Sequence, residues 1–235
     1  MTVIHEYEGE KWIFSKGGAG GYKSLVDRKI VDGEIQPIGQ SDFDSAVESN
    51  KDMASKAMRV LALCARKMGD DENIDDVNII ESGFIYLGLV GIMDPPRPEV
   101  EDAIAICQRA GIKVKMITGD QQITAQAIGL ELNITGGLVP AVNGHQLSNF
   151  TDEEMLDVCA DTSIFSRVTP DQKMRIVSSL QENGEIVAMT GDGVNDAPAL
   201  SRANIGISMG IAGTDVAKDA SDMVLQDDNF ANIVY

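Results

Sequence analysis

An apolar run that leads directly into two closely spaced carboxylates constrains the fold of this chain more than any other stretch. Ile186–Met189 is apolar without alternation, which predicts a buried strand of a parallel sheet that is covered on both faces. The turn Thr190–Gly193 then leaves the carboxyl end of that strand. Ligands bind at this edge of open α/β sheets, and Mg²⁺ prefers hard oxygen ligands. Asp192, Asn195 and Asp196 therefore predict a Mg²⁺ site.

Helix capping is the alternative interpretation of this loop, because Asp and Asn often accept hydrogen bonds from the first turn of a helix. Capping needs one acceptor, whereas the loop offers several. The string Thr190–Leu200, TGDGVNDAPAL, resembles the hinge motif of the P-type ATPases, which are ATP-driven ion pumps. The resemblance implies a haloacid dehalogenase-like phosphorylation domain in which Asp192 binds Mg²⁺, while Asn195 and Asp196 support the phosphoryl site.

Helices and strands alternate after Asp94, which is the pattern of a parallel sheet with helices on its faces. The strand Ile112–Ile117 leads into a second Thr-Gly-Asp turn at Thr118–Asp120. Helical patterns follow at Gln121–Leu132 and, from a capping box, at Thr151–Cys159. Further strands are predicted at Ser163–Arg167, Ile205–Met209 and Met223–Leu225. The expected fold is an α/β, Rossmann-like parallel sheet domain.

A well-marked helix start places one lysine where the helix dipole disfavours it. Thr169 is a predicted N-cap, Pro170 suits the first helical position, and Gln172 completes a capping box. Lys173 lies in the first turn, where a cation is mildly unfavourable, so a bound phosphate would explain its placement. An exposed lysine without a special role is the alternative.

The family resemblance extends to this lysine, since Val168–Lys173 resembles the VxPxxK motif of the pumps. That motif implies that Lys173 steadies the phosphorylated aspartate, that Thr118 hydrogen-bonds the phosphoryl group, and that Asp120 lies near Mg²⁺ and nucleotide. The implied catalytic residues are Thr118, Lys173 and Asp196. The implied ATP contacts in this half are Thr118, Gly119, Asp120, Arg167, Lys173 and Asn195.

Two further motifs occur in the first half of the chain, after a predicted hairpin within Met1–Gly21. Lys16-Gly17-Gly18-Ala19 resembles the KGA-type motif of the pumps, although Gly18, Ala19 and Gly20 replace the Ala, Pro and Glu of the usual KGAPE wording. Arg59 lies in a segment that resembles the RVLA motif. The resemblance implies that Lys16 lines the ATP pocket and that Arg59 contacts phosphates. A flexible loop and a solvated helix arginine are the respective alternatives.

Two domains are expected, with the boundary at the Asp94-Pro-Pro-Arg97 segment, because consecutive prolines stiffen the chain and remove hydrogen-bond donors. Residues 1–93 would form the rear of an α+β nucleotide-binding domain, and residues 94–235 the phosphorylation domain. Gly21–Pro37 is polar and turn-rich, Ser41–Met68 has helical periodicity, and Gly83–Met93 is a predicted strand. The DPPR wording resembles pumps for light cations, of the calcium or sodium/potassium kind, rather than those for soft heavy metals.

Composition excludes some partners and compartments. The 235 residues carry a formal net charge of -18, which argues against nucleic acid as a partner. Gly83–Met93 is the longest uncharged apolar stretch and is too short to span a bilayer, which takes about 20 residues. The cysteines Cys64, Cys107 and Cys159 suggest core residues in a reducing compartment. Together with these features, the resemblance to the pumps implies a soluble piece at the cytoplasmic face of a membrane, where it belongs to a larger pump.

The family's DKTGT motif, with the aspartate that becomes phosphorylated, does not occur in this sequence. Because phosphoryl transfer through a covalent intermediate needs that carboxylate, we expect the chain alone to be inactive. The expected partners are ATP, Mg²⁺ and the N-terminal and membrane parts of the pump. A non-catalytic protein that binds nucleotide and Mg²⁺ is one alternative, and a soluble haloacid dehalogenase-like phosphatase is another. If the strand before DKTGT is absent, its neighbours in the sheet should have unpaired edges.

Overall fold

The structure is a computed structural model that describes residues 1–69, 71–135 and 140–234. It divides into two compact units, Met1–Asp94 and Pro95–Tyr235. The division follows Asp94, the first residue of the Asp-Pro-Pro-Arg segment. None of the described helices is long and apolar enough to cross a membrane.

The first unit is built on one six-stranded sheet with the order β1-β2-β5-β6-β3-β4. Its strands are β1 (Thr2–Tyr7), β2 (Glu10–Gly17), β3 (Val26–Val31), β4 (Glu34–Pro37), β5 (Arg59–Lys67) and β6 (Phe84–Ile92). All neighbours are antiparallel except β3 and β6. Every inner strand of this sheet therefore has a partner on both sides.

One face of this sheet forms the core of the first unit. Ile13, Cys64 and Phe84 are buried there, beneath α1 (Gln40–Ser55) and α2 (Val77–Ile80). Burial raises the pKa of the Cys64 thiol to about 12, so this cysteine is an apolar packing group rather than a nucleophile. The opposite face is more open and leaves Phe14, Val90 and Ile92 exposed.

Two predictions for the first unit were wrong. Gly21–Pro37 contains the antiparallel pair β3 and β4 instead of turns alone. The helical pattern of Ser41–Met68 stops at Ser55, because Ala57 has a left-handed φ of 60° and the chain then pairs as β5 between β2 and β6. The predicted hairpin at the start of the chain is confirmed as β1 and β2, and the strand within Gly83–Met93 is confirmed as β6.

The second unit alternates helices and short strands. Its helices are α3 (Glu99–Arg109), α4 (Gln122–Glu131), α5 (Gly144–Leu147), α6 (Asp152–Asp161), α7 (Pro170–Glu182), α8 (Ala197–Arg202) and α9 (Asp215–Asp219). Its strands are β7 (Met116–Ile117), β8 (Val142–Asn143), β9 (Ile164–Ser166), β10 (Ala188–Gly191), β11 (Ile205–Met209) and β12 (Met223–Leu225). The capping boxes at Thr151 and Thr169 are present as predicted.

These strands form two separate parallel sheets of three strands each, ordered β7-β9-β8 and β10-β11-β12. Each sheet has one inner edge that faces the other sheet. Only Met116–Ile117 of the predicted strand Ile112–Ile117 is paired, and the strand predicted at Ile186–Met189 begins at Ala188. The first strand is therefore shorter than predicted, and the second has the predicted length but is shifted by two residues; each has a described partner on one side only.

An apolar cavity of about 1010 Å³, here called the inter-sheet groove, lies between the two inner edges. Its sides are formed by β7 and β10 and by apolar side chains of α3 and α7. Phe230 and Ile233, in a 3₁₀ turn near the end of the chain, also line it. Lys115 is a charged residue in its wall; it donates hydrogen bonds to the carbonyls of Ala160 and Thr162, and burial lowers its pKa.

Candidate functional site

The first predicted site loop, Thr118–Asp120, follows β7 and is fixed by hydrogen bonds. The Thr118 hydroxyl donates to the Asp120 carboxylate over 2.9 Å and accepts from the Asp120 backbone N–H over 3.1 Å. The Arg167 N–H donates to the Asp120 carbonyl, and the Val168 N–H donates to the Thr118 carbonyl. The ends of the adjacent strands β7 and β9 are therefore joined, with Gly119 exposed between them. The side chain of Arg167 is exposed, and its backbone is left-handed with φ 49°.

The helix α7 carries Lys173 toward the loop after β10. The Thr169 capping box and Pro170 secure its first turn, so the backbone from which the Lys173 side chain extends is held in place. Its ammonium lies 2.5 Å from the Asp196 carboxylate, and the two side chains are only 14% and 10% exposed. Because α7 follows β9 and Asp196 follows β10, this ion pair joins the carboxyl ends of the two three-stranded sheets.

Asp196 is the N-cap residue of α8, but its carboxylate makes no capping hydrogen bond. The carboxylate instead folds back to accept from the Gly193 N–H over 3.1 Å and to pair with Lys173. Gly191 makes this possible, since a β-carbon there would lie 2.5 Å from the Asp196 β-carbon. The capping alternative is therefore wrong for the Asp196 side chain.

Asp192 and Asn195 lie in the same loop and are exposed. The Asp192 carbonyl accepts from the Thr214 N–H over 2.8 Å, which fixes the backbone beside its carboxylate. No group of three or more His, Cys, Asp or Glu residues in the described part of the chain could hold a metal ion. Mg²⁺ is nevertheless often held by one or two carboxylates, with water and phosphate oxygens completing its shell. An open carboxylate on a fixed backbone at Asp192 fits that kind of binding.

The first unit places Lys16 and Arg59 at the same end of its sheet and on the same face. Lys16 pairs across the sheet with Leu63, and Arg59 lies four residues further along β5. This spacing corresponds to roughly 13 Å along the strand. Both side chains are exposed, and neither makes a recorded hydrogen bond or ion pair within the described residues. Two free cations at this spacing suit an extended anionic ligand.

A pair of charged residues that the sequence analysis did not single out lies beside the inter-sheet groove. Lys113 and Glu185 form an ion pair of 2.9 Å, and both line the groove just before β7 and β10. One vacant strand position between β7 and β10 would separate them by two strand spacings, which is roughly 10 Å. A lysine and a glutamate side chain together can bridge that width. Opposite charges at equivalent positions before two strands were the signal that could have revealed this pair.

The fold agrees with a match to a known family. Residues 29–204 match the haloacid dehalogenase-like hydrolases, and the chain belongs to this family. Together with the parallel strands and alternating helices, the match confirms the predicted α/β, Rossmann-like class.

Its curated relatives are more specific. The chain is 41% identical over its full length to a calcium-transporting ATPase 1 of Bacillus cereus. It is 45% identical over 99% of its length to the cation-transporting ATPase pma1 of Synechocystis, and 44% identical to a calcium-transporting ATPase of Bacillus subtilis. These relatives confirm the resemblance to P-type cation-transporting ATPases. The chain spans about a quarter of their length, 26% in each case.

Proposed function

We propose that this chain is the ATP- and Mg²⁺-binding headpiece portion of a P-type cation pump, which couples ATP hydrolysis to cation transport across a membrane. The observation that carries the proposal is the buried Lys173–Asp196 pair beside the open carboxylate of Asp192, all at the carboxyl ends of parallel strands. Ligands of open α/β sheets bind at such edges. The relatives, which are named as cation-transporting ATPases, support the same assignment.

In this proposal the second unit stabilises a phosphoryl group during its transfer. Lys173 offsets the negative charge, and Asp196 holds the lysine in place through their ion pair. The Thr118 hydroxyl is available to donate to a phosphoryl oxygen once it releases Asp120. Asp192 is the residue that would hold Mg²⁺, and Mg²⁺ bound there would neutralise charge on the phosphate. Gly119, Asp120, Arg167 and Asn195 surround the same sheet edge and are proposed contacts for ATP.

The first unit, as the rear of a nucleotide-binding domain, contributes Lys16 and Arg59. Both are cations with exposed side chains on one face of the sheet, and ATP has negative charges to pair with them. The division of the chain after Asp94 matches the proposed separation of nucleotide-binding and phosphorylation domains.

The inter-sheet groove is where we place the strand that ends in the phosphorylated aspartate. Its two walls are inner edges of parallel sheets, so an added strand would gain hydrogen bonds on both sides. The apolar lining suits a strand buried on both faces. An aspartate at the carboxyl end of such a strand would emerge between the Thr118 turn and the Asp192 loop. We expect no phosphorylated enzyme from this chain alone, because its sequence has no DKTGT aspartate.

Mg²⁺ binding tests the proposed site directly. Calorimetric titration of the chain with Mg²⁺ alone should show weak binding, which Asp192→Asn weakens further. Asp157→Asn is the matched control, because it removes the same charge from an exposed position on α6. Equal loss of binding in both variants would mean that Mg²⁺ responds only to the net charge of -18, and would count against the assignment of Asp192.

A further inference from the structure

We propose that Gln172 is a positioning residue for Lys173, and that it acts by clamping the first turn of α7 to Gly144 and Ser148. The capping box accounts only for the oxygen of the Gln172 side-chain amide. The proposal rests on the proposed function for the importance of Lys173, but the position of Lys173 can be measured on its own.

The side chain of Gln172 uses both ends of its amide. Its Oε1 accepts from the Thr169 N–H over 3.0 Å, which is the capping contact. Its Nε2 donates to the Gly144 carbonyl over 2.7 Å and to the Ser148 hydroxyl over 2.8 Å. One side chain therefore both starts α7 and ties it to α5, which lies more than 20 residues earlier in the sequence.

Close packing at Gly144 shows that the clamp has little freedom. A β-carbon at Gly144 would lie 2.2 Å from the Arg167 carbonyl and 2.7 Å from Gln172 Oε1. Gly144 is buried, and the backbone of the segment before α7 packs directly against it. The backbone can approach this closely only because glycine has no side chain.

The segment Arg167–Lys173 consequently connects three parts of the site. Its backbone N–H groups at Arg167 and Val168 reach the Thr118–Asp120 turn. Gln172 holds α5, and the next residue, Lys173, holds Asp196. Since Lys173 directly follows the clamped residue, movement of the first turn would carry its ammonium away from Asp196.

Arg175 forms a second connection between α7 and the segment around α5, so Gln172 does not hold the helix there alone. Arg175 donates to the carbonyls of Leu147 and Phe150 and pairs with Asp152. These contacts hold the second turn of α7, so loss of the Gln172 donors should loosen the first turn without unfolding the helix. The expected effect is therefore local to Lys173.

Gln172→Glu separates clamping from capping. Glutamate keeps the acceptor for the Thr169 N–H, as in the common form of the capping box, but it cannot donate to Gly144 or Ser148. Lys173 acylation by an N-hydroxysuccinimide ester, followed by peptide mass spectrometry, reads the exposure of its amine. We expect a rise of about three- to tenfold in the Lys173 rate, as loss of such hydrogen bonds would allow. The added carboxylate favours the protonated, unreactive amine, so it cannot itself cause a rise.

Gln181→Glu is the matched control at the other end of α7. Gln181 Nε2 also donates two hydrogen bonds, to the Arg202 carbonyl and to Asn204 Oδ1. The urea midpoint of Gln181→Glu should be similar to that of Gln172→Glu. Its rate of Lys173 acylation, however, should equal that of the parent chain. Ser148→Ala, which removes one of the two clamp acceptors, should give a smaller rise than Gln172→Glu.

An unchanged Lys173 rate in Gln172→Glu, or an equal rise in Gln181→Glu, would overturn the clamp. Either result would leave the proposed function standing, because that proposal is tested by Mg²⁺ binding at Asp192. Conversely, loss of the Mg²⁺ assignment would not alter the labelling rates. The two experiments therefore fail independently.

Discussion

The two units of this chain differ in whether the inner strands of their sheets are paired on both sides. The first has six strands in one sheet, and all four inner strands are paired on both sides. The described residues of the second also form six strands, but these make two sheets of three with the inter-sheet groove between them. Strand number is the same in both, so the difference lies in whether inner edges are paired. Unpaired inner edges leave backbone groups without partners and expose apolar side chains, and both effects cost stability.

The comparison also bears on the candidate site. The groove is lined by β7 and β10 as far as Ile117 and Thr190, and Thr118, Asp192 and Asp196 follow these strands in the sequence. The incomplete part of the fold and the candidate site are thus adjacent. In the proposed arrangement, a strand added between the two sheets would also reach the site, whereas the described six-stranded sheet of the first unit has no unpaired inner edge that could accept a strand.

Matched core truncations should give the largest effect. Phe84 in β6 and Phe165 in β9 are both fully buried, and each change to Ala should cost about 3–5 kcal/mol. Because the second unit has less stability to lose, Phe165→Ala should abolish amide exchange protection in β9 and β10. Phe84→Ala should only reduce protection in β5 and β6. Equal residual protection in the two variants would contradict the comparison.

An added strand should have the next largest effect. A peptide with an apolar strand followed by DKTGT should stabilise the second unit by about 2.7 kcal/mol at a concentration of 100 Kd. Amide exchange should slow at Met116–Ile117 and Ala188–Gly191, while β2 and β5 should not change. Without peptide, the open edges should promote self-association in sedimentation experiments.

A scrambled peptide of the same composition is the control. Equal stabilisation by the scrambled peptide would indicate apolar binding without strand pairing. A monomeric chain that gains nothing from saturating DKTGT peptide would show that the groove does not accept the strand.

Several local signals in the sequence predicted the structure correctly, although the β3–β4 hairpin was missed. The capping boxes at Thr151 and Thr169 were predicted because all of their contacts lie within four residues. The strands β11 and β12 were predicted from short apolar runs and are paired as expected. The Thr118 and Asp192 loops could be identified because each directly follows a strand.

Features that depend on distant partners could not be read in the same way. Arg59–Lys67 continues a helical pattern in sequence, yet β2 and β6 on either side make it a strand. Nothing local to Gln172 reveals that its amide also reaches Gly144, 28 residues away. The Asp196 carboxylate was expected in the open loop, but Gly191 lets it fold back onto Lys173. Each case is decided by a neighbour that is remote in sequence.

The smallest expected effect concerns the ion pair beside the groove, and its sign follows from two pKa shifts. The hydrogen bond from Lys113 lowers the pKa of Glu185, and the hydrogen bond to Glu185 raises the pKa of Lys113. A lowered carboxyl pKa contributes stability above its unfolded value of 4.5, which is lost as pH falls through the folded value. A raised lysine pKa contributes stability below its unfolded value of 10.5, which is lost as pH rises through the folded value.

The contribution of this pair should therefore be constant near neutral pH and decline below pH 4.5 and above pH 10.5. Both side chains are exposed, at 65% and 48%, so the effect should be small and should shrink further at high salt. Glu185→Gln removes the pair, and the difference in unfolding free energy between this variant and the parent, measured across pH, isolates its contribution.

If the Lys113–Glu185 pair bridges the inner edges, its loss should appear as faster amide exchange in β7 and β10. The Lys29–Asp42 pair of the first unit supplies the comparison, because Asp42→Asn should leave β7 and β10 unaffected. A loss that is the same at pH 3 and pH 7 would show that Glu185 acts through something other than its charge.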